Sequence, residues 1–97
     1  MITSFKNKAT EDVFNGKNTK SARKLCPQTL WNIVARKFDQ LDSVINIEEL
    51  RIPPGNRFEE LSGNRQGEFS IRINQQYRIC FKWKQSEPFD VEITDYH

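Results

Sequence analysis

Between residues 69 and 83 apolar and polar side chains alternate almost without a break. Phe69, Ile71 and Ile73 interleave with Ser70 and Arg72; Tyr77, Ile79, Phe81 and Trp83 interleave with Arg78, Cys80 and Lys82. A period of two sends successive side chains to opposite faces of a strand, so the pattern predicts two strands sharing one apolar face. Asn74-Gln75-Gln76 joins them as a tight hairpin. Lys84 to Pro88 turns the chain into a final strand over 89–94, where Val91 and Ile93 alternate with Glu92 and Thr94. Upstream the period becomes helical. Leu30, Ile33, Val34, Phe38 and Leu41 recur at helical spacing, which predicts an amphipathic helix opened by Pro27 and running through residue 43.

The remaining segments carry weaker patterns. Ile2 to Lys6 reads as a short first strand. Thr10 is the expected cap of a brief helix over Glu11 to Phe14, with acids in its first turn, and Asn15-Gly16-Lys17-Asn18 stops it. Lys17 to Lys24 reads as a basic connector. Ile45 to Leu50 fits either a short helix or a turn, and Pro53-Pro54-Gly55-Asn56 breaks any regular element. Phe58 to Leu61 is a further strand candidate, followed by a loop over 62–67. Helices first and antiparallel strands afterwards give an α+β sandwich, with two N-terminal helices packed on a small, mainly antiparallel twisted sheet. The 97 residues suit one domain, 1–97.

Composition narrows the function classes. No apolar run approaches the ~20 residues of a membrane span, and the start lacks a signal peptide's apolar core. Cys26 and Cys80 are far apart and form no metal or redox spacing, so reduced thiols in the cytoplasm are expected. One histidine and two scattered cysteines do not make a metal site, and no cofactor is expected. The net charge of +2 hides a split: residues 1–44 hold eight Lys/Arg against four acids, and residues 45–97 hold seven against nine. The basic residues of the second half are mostly arginines, whose planar fork suits phosphate. So weak an overall charge argues against a protein that coats nucleic acid, but not against a local arginine site.

The pleat brings these arginines into the argument. Arg72, Arg78 and Lys82 project opposite to the core residues of their own strands. The last strand runs into Asp95-Tyr96-His97, a carboxylate, a phenol and the chain's one imidazole, all groups used in proton transfer. Arginines on adjacent strands can hold a phosphate and stabilise a pentacoordinate transition state. The matching chemistry is metal-independent RNA cleavage by an adjacent 2′-hydroxyl. A solvated sheet face also collects arginines, and a terminal histidine can be a frayed end, so composition leaves both readings open.

The run Arg51-Ile52-Pro53-Pro54-Gly55-Asn56-Arg57-Phe58-Glu59-Glu60-Leu61 resembles a segment of the HigB-type toxins, the plasmid-maintenance killer proteins of the RelE superfamily. The likeness continues through Ser62 to Gly67, Phe69 to Asn74, Gln76 to Trp83 and Val91 to His97. It implies a RelE-like microbial ribonuclease fold and a toxin that cleaves mRNA on the 70S ribosome. It also implies a HigA-type helix-turn-helix antitoxin, through which alone the pair would reach operator DNA. By the same resemblance Asp95, Tyr96 and His97 match the terminal active-site triplet, and Arg78 matches a central strand arginine. Arg65 matches a recurrent loop position. Arg57, Arg65, Arg72 and Lys82 are the expected RNA contacts. Some relatives carry a histidine and a lysine where Glu59 and Ser62 stand here. That departure keeps a rival in view, a non-cutting module that binds antitoxin or ribosome, or serves as corepressor.

Overall fold

The structure, a computed structural model, describes residues 1–95. The alternating segments form a four-stranded antiparallel sheet in sequential order: β1 (Glu59–Glu60), β2 (Phe69–Arg72), β3 (Tyr77–Lys84) and β4 (Glu87–Asp95). Asn74 makes the β2–β3 turn by accepting the Gln76 and Tyr77 amides on its own Oδ1, at 2.8 and 2.7 Å. The β3–β4 hairpin turns through Gln85 and Ser86, both at positive φ (53° and 63°), the geometry that matches strand twist in a two-residue loop. β4 therefore begins earlier than expected. It contains a bulge, since Cys80 faces Glu92 but Lys82 faces Phe89, and Asp90 takes a left-handed φ of 50°.

Three α-helices precede the sheet: α1 (Lys8–Phe14), α2 (Lys20–Leu25) and α3 (Trp31–Ser43), the last entered through a 3-10 turn at Gln28–Leu30. α3 buries Val34, Phe38 and Leu41, and the sheet buries Ile71, Ile79, Phe81, Val91 and Ile93 in the same core. Phe5, Phe14 and Phe38 close one end, with ring centroids 5.1 to 6.4 Å apart. Ile47–Arg51, the ambiguous segment, is a 3-10 helix with an Asn46/Glu49 capping box.

Three expectations are corrected. Residues 2–6 are not a strand: only Phe5 bridges Val91, because the chain turns away at once into α1. The cap of α1 is Asn7, whose Oδ1 accepts the Thr10 amide at 2.8 Å. Thr10 itself is fully buried, and its hydroxyl accepts the Ile93 amide of β4 at 3.1 Å. The basic connector holds a helix, α2, capped by Thr19 and burying only Ala22. With a single buried side chain it leaves no periodic trace.

Candidate functional site

Strand register arranges the polar face in rows. Glu59 of β1 faces Ser70 of β2, Ser70 faces Cys80 of β3, and Cys80 faces Glu92 of β4. In the next row Arg72 faces Arg78, and Arg78 faces Thr94. Two guanidinium side chains thus start from directly opposed positions on adjacent strands. Like charges so placed destabilise a sheet. The arrangement suits an anion bound between or above them.

Arg78 is held from below. Its Nε donates to Ser70 Oγ at 2.8 Å, and Ser70 is completely buried. Its Nη2 donates to the Arg57 carbonyl at 2.7 Å and lies 3.5 Å from Glu59 Oε1. Only 11 % of the Arg78 side chain is exposed. Arg57 brings its carbonyl there from a left-handed turn (φ 42°) that follows the Pro54–Asn56 3-10 turn, while its own side chain is exposed.

The other expected contacts divide. Arg72 shares the Arg78 row and donates from Nε to the Asn74 carbonyl at 3.0 Å. Lys82 is half-exposed, 3.7 Å from Asp90. Arg65 is committed to the fold, with 3.0 Å bonds to Glu68 Oε1 and Glu92 Oε1. Burial works against its charge, but the Glu92 hydrogen bond and neighbouring negative groups raise its pKa above that of ordinary arginine. Beneath this cluster lies the Cys80 thiol, whose pKa burial pushes up. The polar face is consequently not uniformly wet: Ser70 and Cys80 are both sealed from water.

Asp95 ends β4 opposite Tyr77, exposed, and accepts a hydrogen bond from Gln76 Nε2 at 3.2 Å. Tyr96 and His97, two of the four expected catalytic residues, lie outside the described residues. Ser70 and Asn56 were not among the expected site residues. Alternation marked Ser70 only as polar-face, and its signal was being a small hydroxyl next to an arginine strand. Asn56 sits in a proline–glycine turn, where asparagine side chains commonly bond backbone groups. Ser62, the second departure, is exposed at the start of the Gly63–Arg65 turn.

Comparison with known proteins gives the family and the fold. Residues 3–97 match the family model of HigB-like toxins, described as the RelE-like toxin of the type II toxin–antitoxin system HigB. Toxin HigB-1 of Vibrio cholerae serotype O1 is 42 % identical over 83 residues, covering 86 % of this chain and 84 % of that one. A protein of Haemophilus influenzae is 39 % identical over 61 residues, 63 % of this chain and 60 % of its own. Among solved structures, the fold resembles the YoeB–YefM complex from Staphylococcus aureus, with a TM-score of 0.61 at 18 % identity over 100 % of this chain and 95 % of that one. The YoeB dimer from the same organism gives a TM-score of 0.58 at 17 % identity, over 99 % and 94 % of the two chains.

Proposed function

The chain belongs to the RelE-like HigB toxins of type II toxin–antitoxin systems, and from that premise we propose that it is an endoribonuclease cutting mRNA on the ribosome. The observation that carries this reading is the opposed Arg72–Arg78 pair with Arg78 locked by Ser70 and the Arg57 carbonyl. The ribose 2′-hydroxyl attacks the adjacent phosphorus, the 5′-oxygen leaves, and a 2′,3′-cyclic phosphate results. Arg78 stabilises the extra negative charge of the phosphorane, an interaction stronger in the transition state than in the ground state. Tyr96 and His97 carry the proton from the attacking hydroxyl and to the leaving oxygen, with Asp95 orienting them.

Arg72, Lys82 and the Arg57 side chain bind flanking phosphates, which sets register but reads little sequence. Arg65, with two carboxylate partners, supports the site from beneath. In this reading the protein works in the cytoplasm as a single domain and is neutralised by a helix-turn-helix antitoxin of the HigA type, through which it reaches operator DNA. Family membership and the YoeB–YefM complex support an antitoxin partner.

The test uses ribosomes programmed with a defined mRNA and reads new 5′ ends by primer extension. The full chain produces them; Arg78→Ala and a chain lacking Tyr96-His97 do not. Undiminished cleavage by both variants would sink the assignment.

A further inference from the structure

Asn56 is a fully buried polar side chain in a surface turn. Its Nδ2 donates to Gln40 Oε1 at 2.9 Å, to the Leu50 carbonyl at 3.0 Å and, more weakly, to the Ile52 carbonyl at 3.4 Å. Its Oδ1 accepts from Lys37 Nζ. Lys37 and Gln40 stand one turn apart on α3, so the amide is clamped between that helix and the preceding 3-10 segment. Both donor hydrogens and the acceptor oxygen are used. The Lys37 ammonium is itself partly desolvated, and with Arg36 beside it burial lowers its pKa.

The clamp has a directional consequence. The residue after Asn56 is Arg57, in left-handed backbone at φ 42° and ψ 51°. A non-glycine residue stays there only when its surroundings impose it. Asn56 is the adjacent fixed point, aided by the Arg57 amide's 3.0 Å bond to the Pro54 carbonyl. The strained turn aims the Arg57 carbonyl at Arg78 Nη2, 2.7 Å away. Ser70 Oγ fixes Nε of the same guanidinium at 2.8 Å. With the covalent Cδ–Nε bond, these two hydrogen bonds, at Nε and Nη2, fix the plane of the guanidinium.

We infer that Asn56 is a positioning residue for Arg78: the Lys37–Asn56–Gln40 clamp on the helical layer holds the Arg57 carbonyl, which orients the phosphate-binding guanidinium on the sheet's opposite face. The inference rests on the role proposed above for Arg78. The Pro-Pro-Gly-Asn run then serves more than loop stiffness. It links the two layers to one catalytic contact, and Asn56 never touches substrate.

The experiment compares Asn56→Asp, Gln40→Ala and Arg78→Ala in the ribosome cleavage assay, alongside arginine Nε–H resonances in ¹⁵N-labelled full-length protein. Asn56→Asp keeps size and the Lys37 contact but cannot donate to Gln40, Leu50 or Ile52. The Arg78 Nε–H resonance, identified by its loss in Arg78→Ala, is expected to shift and exchange faster with water. Cleavage kcat is expected to fall about 10- to 100-fold with KM within about twofold, the signature of a misoriented group. If Asn56→Asp does not fold, Gln40→Ala removes one partner from a half-exposed position and gives the same signature more weakly. A folded variant with unmoved resonance and wild-type kcat overturns the inference. When Arg78→Ala is inactive as well, that result leaves the proposed function intact. Should Arg78→Ala still cut, the role proposed for Arg78 fails and this inference with it, whereas the endoribonuclease reading falls only when the chain lacking Tyr96-His97 also cuts.

Discussion

Glu59 Oε1 lies 3.5 Å from Arg78 Nη2, so the side chain standing where some relatives carry a histidine is a counter-ion of the candidate catalytic arginine. Any phosphate arriving at Arg78 must compete with it. The Glu59 side chain is 54 % exposed, and pairs of this kind contribute little to stability, on the order of 0–1 kcal/mol. Glu59→Gln is therefore expected to leave the melting temperature nearly unchanged. Removing the competitor should raise cleavage by a few-fold, in line with the roughly 1 kcal/mol of two charges at this distance in water. Faster appearance of 5′ ends checks it, and slower cleavage would make Glu59 a participant instead.

Arg65 was expected to contact RNA but is tied to Glu68 and Glu92. Arg65→Ala takes the 3.0 Å partner from two largely buried carboxylates, Glu68 and Glu92, and leaves Glu92 only its longer 3.8 Å contact with Lys6. The expected loss is about 2 kcal/mol, or a Tm fall of about 8 °C or more for a domain of this size. Thermal unfolding decides. Unchanged Tm with impaired cleavage would return Arg65 to the RNA-binding set.

Thr10→Val keeps shape and volume but leaves the buried Ile93 amide without its acceptor. Such an orphan costs about 1–3 kcal/mol. The urea midpoint should drop accordingly, with Thr10→Ser recovering most of the difference. A neutral Thr10→Val would mean that β4 does not depend on α1 for this bond.

Burial pushes the Cys26 thiol up to about 11 from its ordinary 9.0. Between those values the folded chain keeps a proton that the unfolded chain releases, so stability falls as pH rises through this window. Two pKa units correspond to about 2–3 kcal/mol. Comparing the full chain with Cys26→Ala by urea unfolding at pH 8 and pH 11 isolates this contribution from that of Cys80, tyrosines and lysines. Parallel pH dependence in the two proteins would count against it.

The sheet was legible because β2, β3 and β4 pack one face on the helical layer, which puts Phe69, Ile71, Tyr77, Ile79, Val91 and Ile93 at alternating positions. The long helix was legible for the matching reason, a single buried stripe. α2 escaped because it hides only Ala22, too little to leave a period, whereas residues 2–6 read as a strand but make a single bridge, Phe5 to Val91. Thr10 misled because a threonine before acids looks the same whether it caps a helix or reaches across to another strand. At the candidate site, alternation put Arg72 and Arg78 on one face and thereby made their opposition readable. What local pattern could not show is which side chains fold back over that face, since Arg65–Glu92 and Arg57–Arg78 join residues distant in sequence.

The stitching of residues 3–6 along β4 bears on the order of assembly. Ser4 and Asp90 are bonded across a separation of 86 residues, and the Thr3 and Lys6 amides reach Pro88 and Val91. Loops that long close late, after local helices have formed. The edge of the strand leading to Asp95 is finished only when the segment before α1 meets β4. The proposed site on this sheet is thus completed by contacts between residues far apart in the chain.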